Sequence, residues 1–242
     1  MKNTTGQSAG KNKAEALAYI TGVYLGDGCL TSIRSREGKN WRFRLNTIDR
    51  DFAEATMDAL EILFSRRTKI FGPYQDKRFP KSKPHWEISF GTKELFWLKE
   101  ATAQKTIIPK FIKLGSADEK REFVAGVMDS EGFICQAGWK TNRNGNCWEG
   151  KRYLLGVGAT EPWIDEFAGV LMSLGVQPNK RNDATVTVTG KRKVMYLLNK
   201  ESFLEAGCYF KIGRKQERLL EYAKLLALFP QRLHARHRNV MI

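Results

Sequence analysis

Histidine is scarce in this chain, with only His85, His234 and His237, and these three sit at no zinc-finger spacing. The four cysteines, Cys29, Cys135, Cys147 and Cys208, form no C-x-x-C pair. Cys135 and Cys147 bracket a Gly/Asn-rich stretch, but reduced thiols are the expectation. Histidine-based metal chemistry and a disulfide scaffold are therefore set aside. No apolar run approaches the length that spans a membrane, and the polar, basic start lacks a secretory signal's apolar segment. A cytoplasmic setting is the expectation, with organellar expression an open alternative and no membrane partner. Acidic residues are also in deficit, 26 against 41 Lys and Arg, for a net charge of +15. Such an excess suits a polyanionic partner, most simply nucleic acid.

What the chain does have is an internal repeat. Thr21-Gly22-Val23-Tyr24-Leu25-Gly26-Asp27-Gly28 returns 104 residues later as Ala125-Gly126-Val127-Met128-Asp129-Ser130-Glu131-Gly132. Leu45-Asn46-Thr47-Ile48-Asp49 is echoed by Val157-Gly158-Ala159-Thr160-Glu161, now displaced by 112. A third echo pairs Ser89-Phe90-Gly91-Thr92-Lys93 with Val188-Thr189-Gly190-Lys191, each set expected to open a short apolar helix. The growing offset places a longer loop in the second copy, near 136–152.

Periodicity gives the order of elements within a copy. Residues 14–26 read as a helix. Two strands follow, ending near Asn46, where Trp41, Phe43 and Leu45 alternate with Arg42, Arg44 and Asn46. Residues 49–64 carry Phe52, Ala55, Ala59, Leu60 and Leu63 on one helical face. Strands over roughly 68–90 and a helix near 93–100 complete the copy. The second copy predicts a helix over 117–130, strands to 159, a helix over 162–174 and strands over 176–189. Pro162 in the first turn and Gly175 past the end suit the 162–174 helix. The expected division is a basic, flexible arm at 1–13, one half over 14–115 and another over 116–242.

The two nonapeptides, Ile20 to Gly28 and Val124 to Gly132, resemble the motif that names the LAGLIDADG homing endonucleases. The resemblance runs from residue 14 onward, with Thr21 where alanine is usual and Glu131 closing the second copy. It implies an α+β fold of tandem pseudo-twofold αββαββα repeats. It further implies two antiparallel sheets forming a DNA-binding saddle, with the motif helices at the interface. Small residues at every fourth position (Ala18, Gly22, Gly26; Gly126, Ser130) would let two such helices approach closely. Asp27 and Glu131 would then meet at the helix ends. A carboxylate at a helix C-terminus faces the negative end of the dipole, at about 0.3–1 kcal/mol each, and a divalent cation relieves that cost.

By this resemblance the chain is expected to cut both strands of a long asymmetric DNA site across the minor groove, leaving short 3′ overhangs. Asp27, Glu131, Gly26 and Ser130 are the candidate metal positions, for Mg²⁺ or Mn²⁺, with Ca²⁺ a non-catalytic substitute. Lys93 and Lys191 are the candidate catalytic lysines. Asp129 is expected to be a local helix or interface residue. The strand windows 31–46, 66–93, 133–160 and 176–193 hold 22 basic residues but 5 acidic ones, so their charge is selective for the sheets. Candidate DNA contacts are Arg34, Arg36, Arg42, Arg44, Asn46, Arg78, Lys81, Lys83, Lys140, Arg143, Lys151, Arg152, Lys180, Arg181 and Thr187. The expected partner is double-stranded DNA, with intron RNA as a further one, and a chain supplying both halves is expected to act as a monomer. Competing expectations on the same fold are an RNA maturase or a non-catalytic DNA-binding regulator.

Overall fold

The computed structural model describes residues 5–35, 38–67, 69–75, 77, 81–91, 93–143, 146–181, 185–186 and 192–228. The side chains of 5–11, 33–40, 139–149, 151, 185–186 and 192 lie outside the description. The first repeat comprises α1 (Thr5–Leu25), β1 (Cys29–Ser35), β2 (Gly38–Thr47), α2 (Arg50–Phe64), β3 (Ile70–Tyr74), β4 (His85–Gly91) and α3 (Phe96–Ala101). A connection holding the single turn α4 (Lys110–Lys113) leads to the second repeat. That repeat comprises α5 (Ala117–Ser130), β5 (Gly132–Arg143), β6 (Asn146–Ala159), α6 (Trp163–Ser173), β7 (Pro178–Lys180), β8 (Thr185–Val186), β9 (Arg192–Leu198) and α7 (Lys200–Glu205). The helix α8 (Gly213–Leu228) follows.

The first sheet has the order β1-β2-β4-β3, and the second repeats it as β5-β6-β9-β7, with β8 added on β9. All pairings are antiparallel. Each strand divides its residues by parity. Phe43 and Leu45 of β2 and Ile88 and Phe90 of β4 are buried against α2, whose Phe52, Met57 and Leu60 face them. Arg42, Arg44 and Asn46 take the opposite, open face, as the two-residue period requires.

Local signals set the helix limits. Ser116 and Glu119 form a reciprocal capping box that starts α5. α2 stops where Ser65 turns left-handed, with φ 51°, and returns its N–H to the carbonyl of Glu61.

Two expectations need correction. The first helix, expected to begin at residue 14, begins at Thr5. The apolar run 194–198, read as a helix, is the strand β9. Its Val194, Tyr196 and Leu198 turn toward the core while Met195 and Leu197 alternate outward, and a five-residue apolar run carries no period that decides between the two. The third repeat echo was therefore misaligned: β9, not residues 185–189, is the partner of β4.

The two halves are joined by α1 and α5. Gly22 lies so close to α5 that a Cβ there would stand 2.4 Å from the Phe123 carbonyl oxygen. A Cβ on Gly126 would stand 2.3 Å from the Tyr19 carbonyl oxygen. Backbone therefore meets backbone at this crossing, and only glycine fits at either position. The cores interleave across it. Ala18 and Leu25 of α1 belong to the second half's core, and Ala125 of α5 to the first half's.

Gly22→Ala or Gly126→Ala is expected to lower stability by about 1–3 kcal/mol, the usual scale of overpacking. Gly169→Ala, in the exposed face of α6 with nothing within 4 Å of the added carbon, is expected to raise stability by roughly 0.5–1 kcal/mol. Urea melts of the three variants check both signs.

Candidate active site

The end of each interface helix turns into the first strand of its half. After Leu25, the Gly26 N–H still bonds the Gly22 carbonyl, and Gly28 N–H reaches back to Val23, leaving Asp27 on the turn between helix and strand. Glu131 caps α5, its N–H held by the Val127 carbonyl at 2.8 Å. A Cβ on Gly26 would be 2.4 Å from Ser130 Cβ and 3.2 Å from Glu131 Cγ, so the two turns are in contact.

The carboxyls share one electrostatic environment. Glu131 is raised above the ordinary carboxylate range, first by burial and then by the negative charge of Asp27. Asp27, which solvent reaches although protein crowds its carboxyl, is also raised by burial and pulled back by Lys215, Lys105 and Lys193. Two acids made reluctant to ionise, each at a negative helix end, form a site in want of positive charge. Glu161 adds to the negative charge acting on Glu131, and among the described residues no group of three or more His, Cys, Asp and Glu side chains could hold a metal.

Three lysines answer part of that want. Lys105 projects from the turn after α3, where Ala103, Gln104 and Lys105 all hold positive φ, at 43°, 58° and 71°. Such a run of left-handed non-glycine residues is costly and is kept only where the surroundings enforce it. Its ammonium donates to the carbonyls of Gly26 (2.8 Å) and Gly28 (2.6 Å) and lies over the Tyr24 ring. Burial lowers its pKa, while Cys29, Glu161, Asp27 and Glu131 oppose the shift. Lys193, at the start of β9, acts on both carboxyls from the second sheet. Gly158 leaves the space that its stem fills. Lys215 of α8 is buried, donates to the carbonyls of Met128 (2.9 Å) and Asp129 (2.7 Å), and is lowered by burial to about 8.

Asp129, two residues before Glu131, is buried, 2% exposed. Its carboxyl accepts from Tyr19 of α1 at 2.9 Å and from the backbone N–H groups of Lys211 and Ile212. Burial raises it to about 6. It is thus a bolt between α1, α5 and the start of α8. Arg214 extends the fastening to α2 through two bonds to Asp49, at 2.6 and 2.7 Å.

The remaining candidates divide. Gly26 offers its carbonyl to Lys105, and Ser130 donates its hydroxyl to Gly126 at 3.0 Å. Lys93 lines a cavity of about 540 Å³ at the rim of the first sheet, with Trp41, Arg42, Phe64 and Arg66, and is not among the charges felt by either carboxyl. Arg42, Arg44 and Asn46 occupy the open face of that sheet, Arg152 that of the second, and Lys81 and Lys83 are exposed beside the β3–β4 connection. Lys180 pairs with Tyr196 in the register, and its ammonium makes an exposed ion pair with Asp165 of α6 at 2.8 Å. Arg181 follows it, with its N–H on Met195. Arg36, Arg78, Thr187 and Lys191 lie outside the described residues, as do the side chains of Arg34, Lys140, Arg143 and Lys151. Sequence reasoning missed Lys105, Lys193 and Lys215. The first is placed by irregular backbone, the second by a strand whose limits were misread, and the third by a helix far along the chain.

Comparison with solved structures matches this arrangement over most of the chain. A K262A mutant of I-SmaMI superposes with a TM-score of 0.54 at 10% identity, covering 89% of this chain and 92% of that one. The LAGLIDADG meganuclease I-AabMI bound to uncleaved DNA gives 0.53 at 14% identity, covering 89% and 92%. I-SmaMI bound to an uncleaved DNA target in the presence of calcium ions gives 0.52 at 12%, covering 90% and 92%. The fold is that of the LAGLIDADG homing endonucleases. No family model matches the chain and no curated protein is similar to it in sequence. The helices that carry the two repeated nonapeptides are α1 and α5, in one polypeptide. Among the described residues no helix is long and apolar enough to cross a membrane.

The raised carboxyl of Asp129 sets a sign for stability. A group whose folded pKa lies above its unfolded value favours folding when protonated, and that contribution is lost as pH rises. In chelator, wild-type stability is expected to fall relative to Asp129→Asn as pH rises from about 4 to about 6. Thermal melts of the two proteins across that range measure the difference.

Proposed function

We propose that this chain is a site-specific double-strand DNA endonuclease of the LAGLIDADG homing type, acting as a monomer on a long, asymmetric target. The observation that carries the reading is the shared electrostatic site of Asp27 and Glu131 at the ends of two helices in backbone contact. One acid from each half suits a reaction that cuts two strands. The unlike open faces of the two sheets suit two unlike half-sites. The net charge of +15 supplies the attraction to the DNA backbone.

Asp27 and Glu131 would hold the divalent metal, Mg²⁺ or Mn²⁺, with Ca²⁺ supporting binding rather than cutting, and Gly26 and Ser130 beside them. Hard oxygen donors are what these ions take. When bound, the metal supplies a more acidic water and neutralises charge on phosphate. The chain's own groups do the rest. Lys105 and Lys193 set positive charge where the phosphate gains negative charge. Lys105 is placed to give or hold a proton: its ammonium is fixed on the carbonyls of Gly26 and Gly28, on either side of Asp27, and burial lowers its pKa. In each strand a water oxygen bonds to phosphorus as the bond to the 3′ oxygen breaks. Short 3′ overhangs follow if the cuts are made across the minor groove.

Purified protein with Mg²⁺ is expected to cut a limited set of duplexes from a randomised library. Asp27→Asn or Glu131→Gln is expected to reduce cutting by more than about a hundredfold, the scale of losing even an outer partner of a metal. Binding in Ca²⁺ should be retained. Cutting by either variant at the wild-type rate would refute the assignment. Lys105→Met is expected to slow single-turnover cutting by roughly 10²-fold or more, the lower end for a positioned proton-transfer group, with the apparent Kd little changed.

A further inference from the structure

The open face of the first sheet carries one acid among its described residues, Glu87. Its neighbours in β4, Trp86 and Ile88, point the other way, and Ile88 is fully buried. Across the ladder Glu87 stands opposite Asn46, and Arg44 stands opposite both Ser89 and, on the other side, Cys29. Arg44 and Glu87 are diagonal neighbours on one face, within reach of long side chains. Yet among the described residues neither makes a hydrogen bond or ion pair. The Arg44 Nε, the Ser89 hydroxyl and, one strand along, the Thr31 hydroxyl are shielded from solvent without a partner. Polar atoms left so on three adjacent strands ask for a ligand.

A carboxylate facing a duplex is repelled by every phosphate. What it meets favourably is an exposed amino group, which the major groove shows on cytosine (N4) and on adenine (N6), and of the two only cytosine's lies beside the paired O6 and N7 acceptors of guanine that an arginine takes. Building on the endonuclease reading above, we propose that Glu87 and Arg44 form a specificity pair for G·C. Arg44 takes the guanine acceptors and Glu87 the cytosine amino group, on one base pair or on adjacent ones. Arg44 lies across the ladder from Cys29, two residues after Asp27, so this pair reads the part of the N-terminal half-site nearest the cut. The charges stay unpaired with each other because each has a partner on DNA. Glu87 also rejects sequences that would present an acceptor at its position, since two acceptors repel.

The test is selection of a randomised double-stranded DNA library by binding in Ca²⁺, using wild type, Glu87→Gln, Glu87→Ala and Arg44→Ala. Wild type is expected to prefer a cytosine amino group at one position by roughly tenfold or more. Both Glu87 variants should lose that preference there while keeping it elsewhere. Arg44→Ala should relax guanine at the same or the adjacent pair. An unchanged profile in the Glu87 variants overturns the proposal. So does a uniform gain in affinity for all sequences, which would make Glu87 a repeller of phosphates. Wild type selecting no duplex at all would instead overturn the endonuclease reading, and this proposal with it.

Discussion

Everything at the centre of this molecule depends on two backbones touching. Gly22 and Gly126 let α1 and α5 meet at a separation where any Cβ would collide with a carbonyl oxygen of the other helix. Close approach has a structural return, since each half's core takes side chains from the other half's helix. It also has a chemical one. Helices crossing at their small residues must bring their ends together, and the ends carry Asp27 and Glu131. Packing and chemistry are one constraint here: whatever widens the crossing also parts the acids.

That constraint creates an electrostatic problem, which the rest of the chain is arranged around. Two carboxyls at two negative helix ends, partly walled from water, resist ionisation. Lys105, Lys193 and Lys215 each come from a different element, and all bear on Asp27. Two of them spend their hydrogen bonds on helix-end carbonyls, where a cation offsets the dipole directly. Below them Asp129 fastens α1, α5 and the start of α8, so the helix carrying Glu131 is held from both sides. The left-handed run at Ala103, Gln104 and Lys105 fits the same logic. Strain is kept where it aims the Lys105 ammonium at the turn that carries Asp27.

The sequence disclosed the repeat, the interface helices and the acid pair because these depend on short-range regularities. A nonapeptide met twice, glycines every fourth residue, a capping box at Ser116 and alternation along β2 are all visible in one dimension. It did not disclose the lysines. Lys105 sits in a turn without periodicity, and its approach to Gly26 is a contact across 79 positions. Lys193 was overlooked because Gly190-Lys191 resembled Gly91-Thr92-Lys93, which shifted the alignment away from the true strand pairing of Val157 with Tyr196. The ion pair of Lys180 with Asp165 depends on the register of β7 on β9, which the sequence does not state.

The most direct test of the account is the titration of Glu131 in chelator, followed by carboxyl-carbon NMR, in wild type and Asp27→Asn. If the helix crossing sets the two acids in one field, removing the charge at 27 lowers the pKa of Glu131. A Glu131 titration that does not move would mean the acids do not share a site, and the central claim would fail.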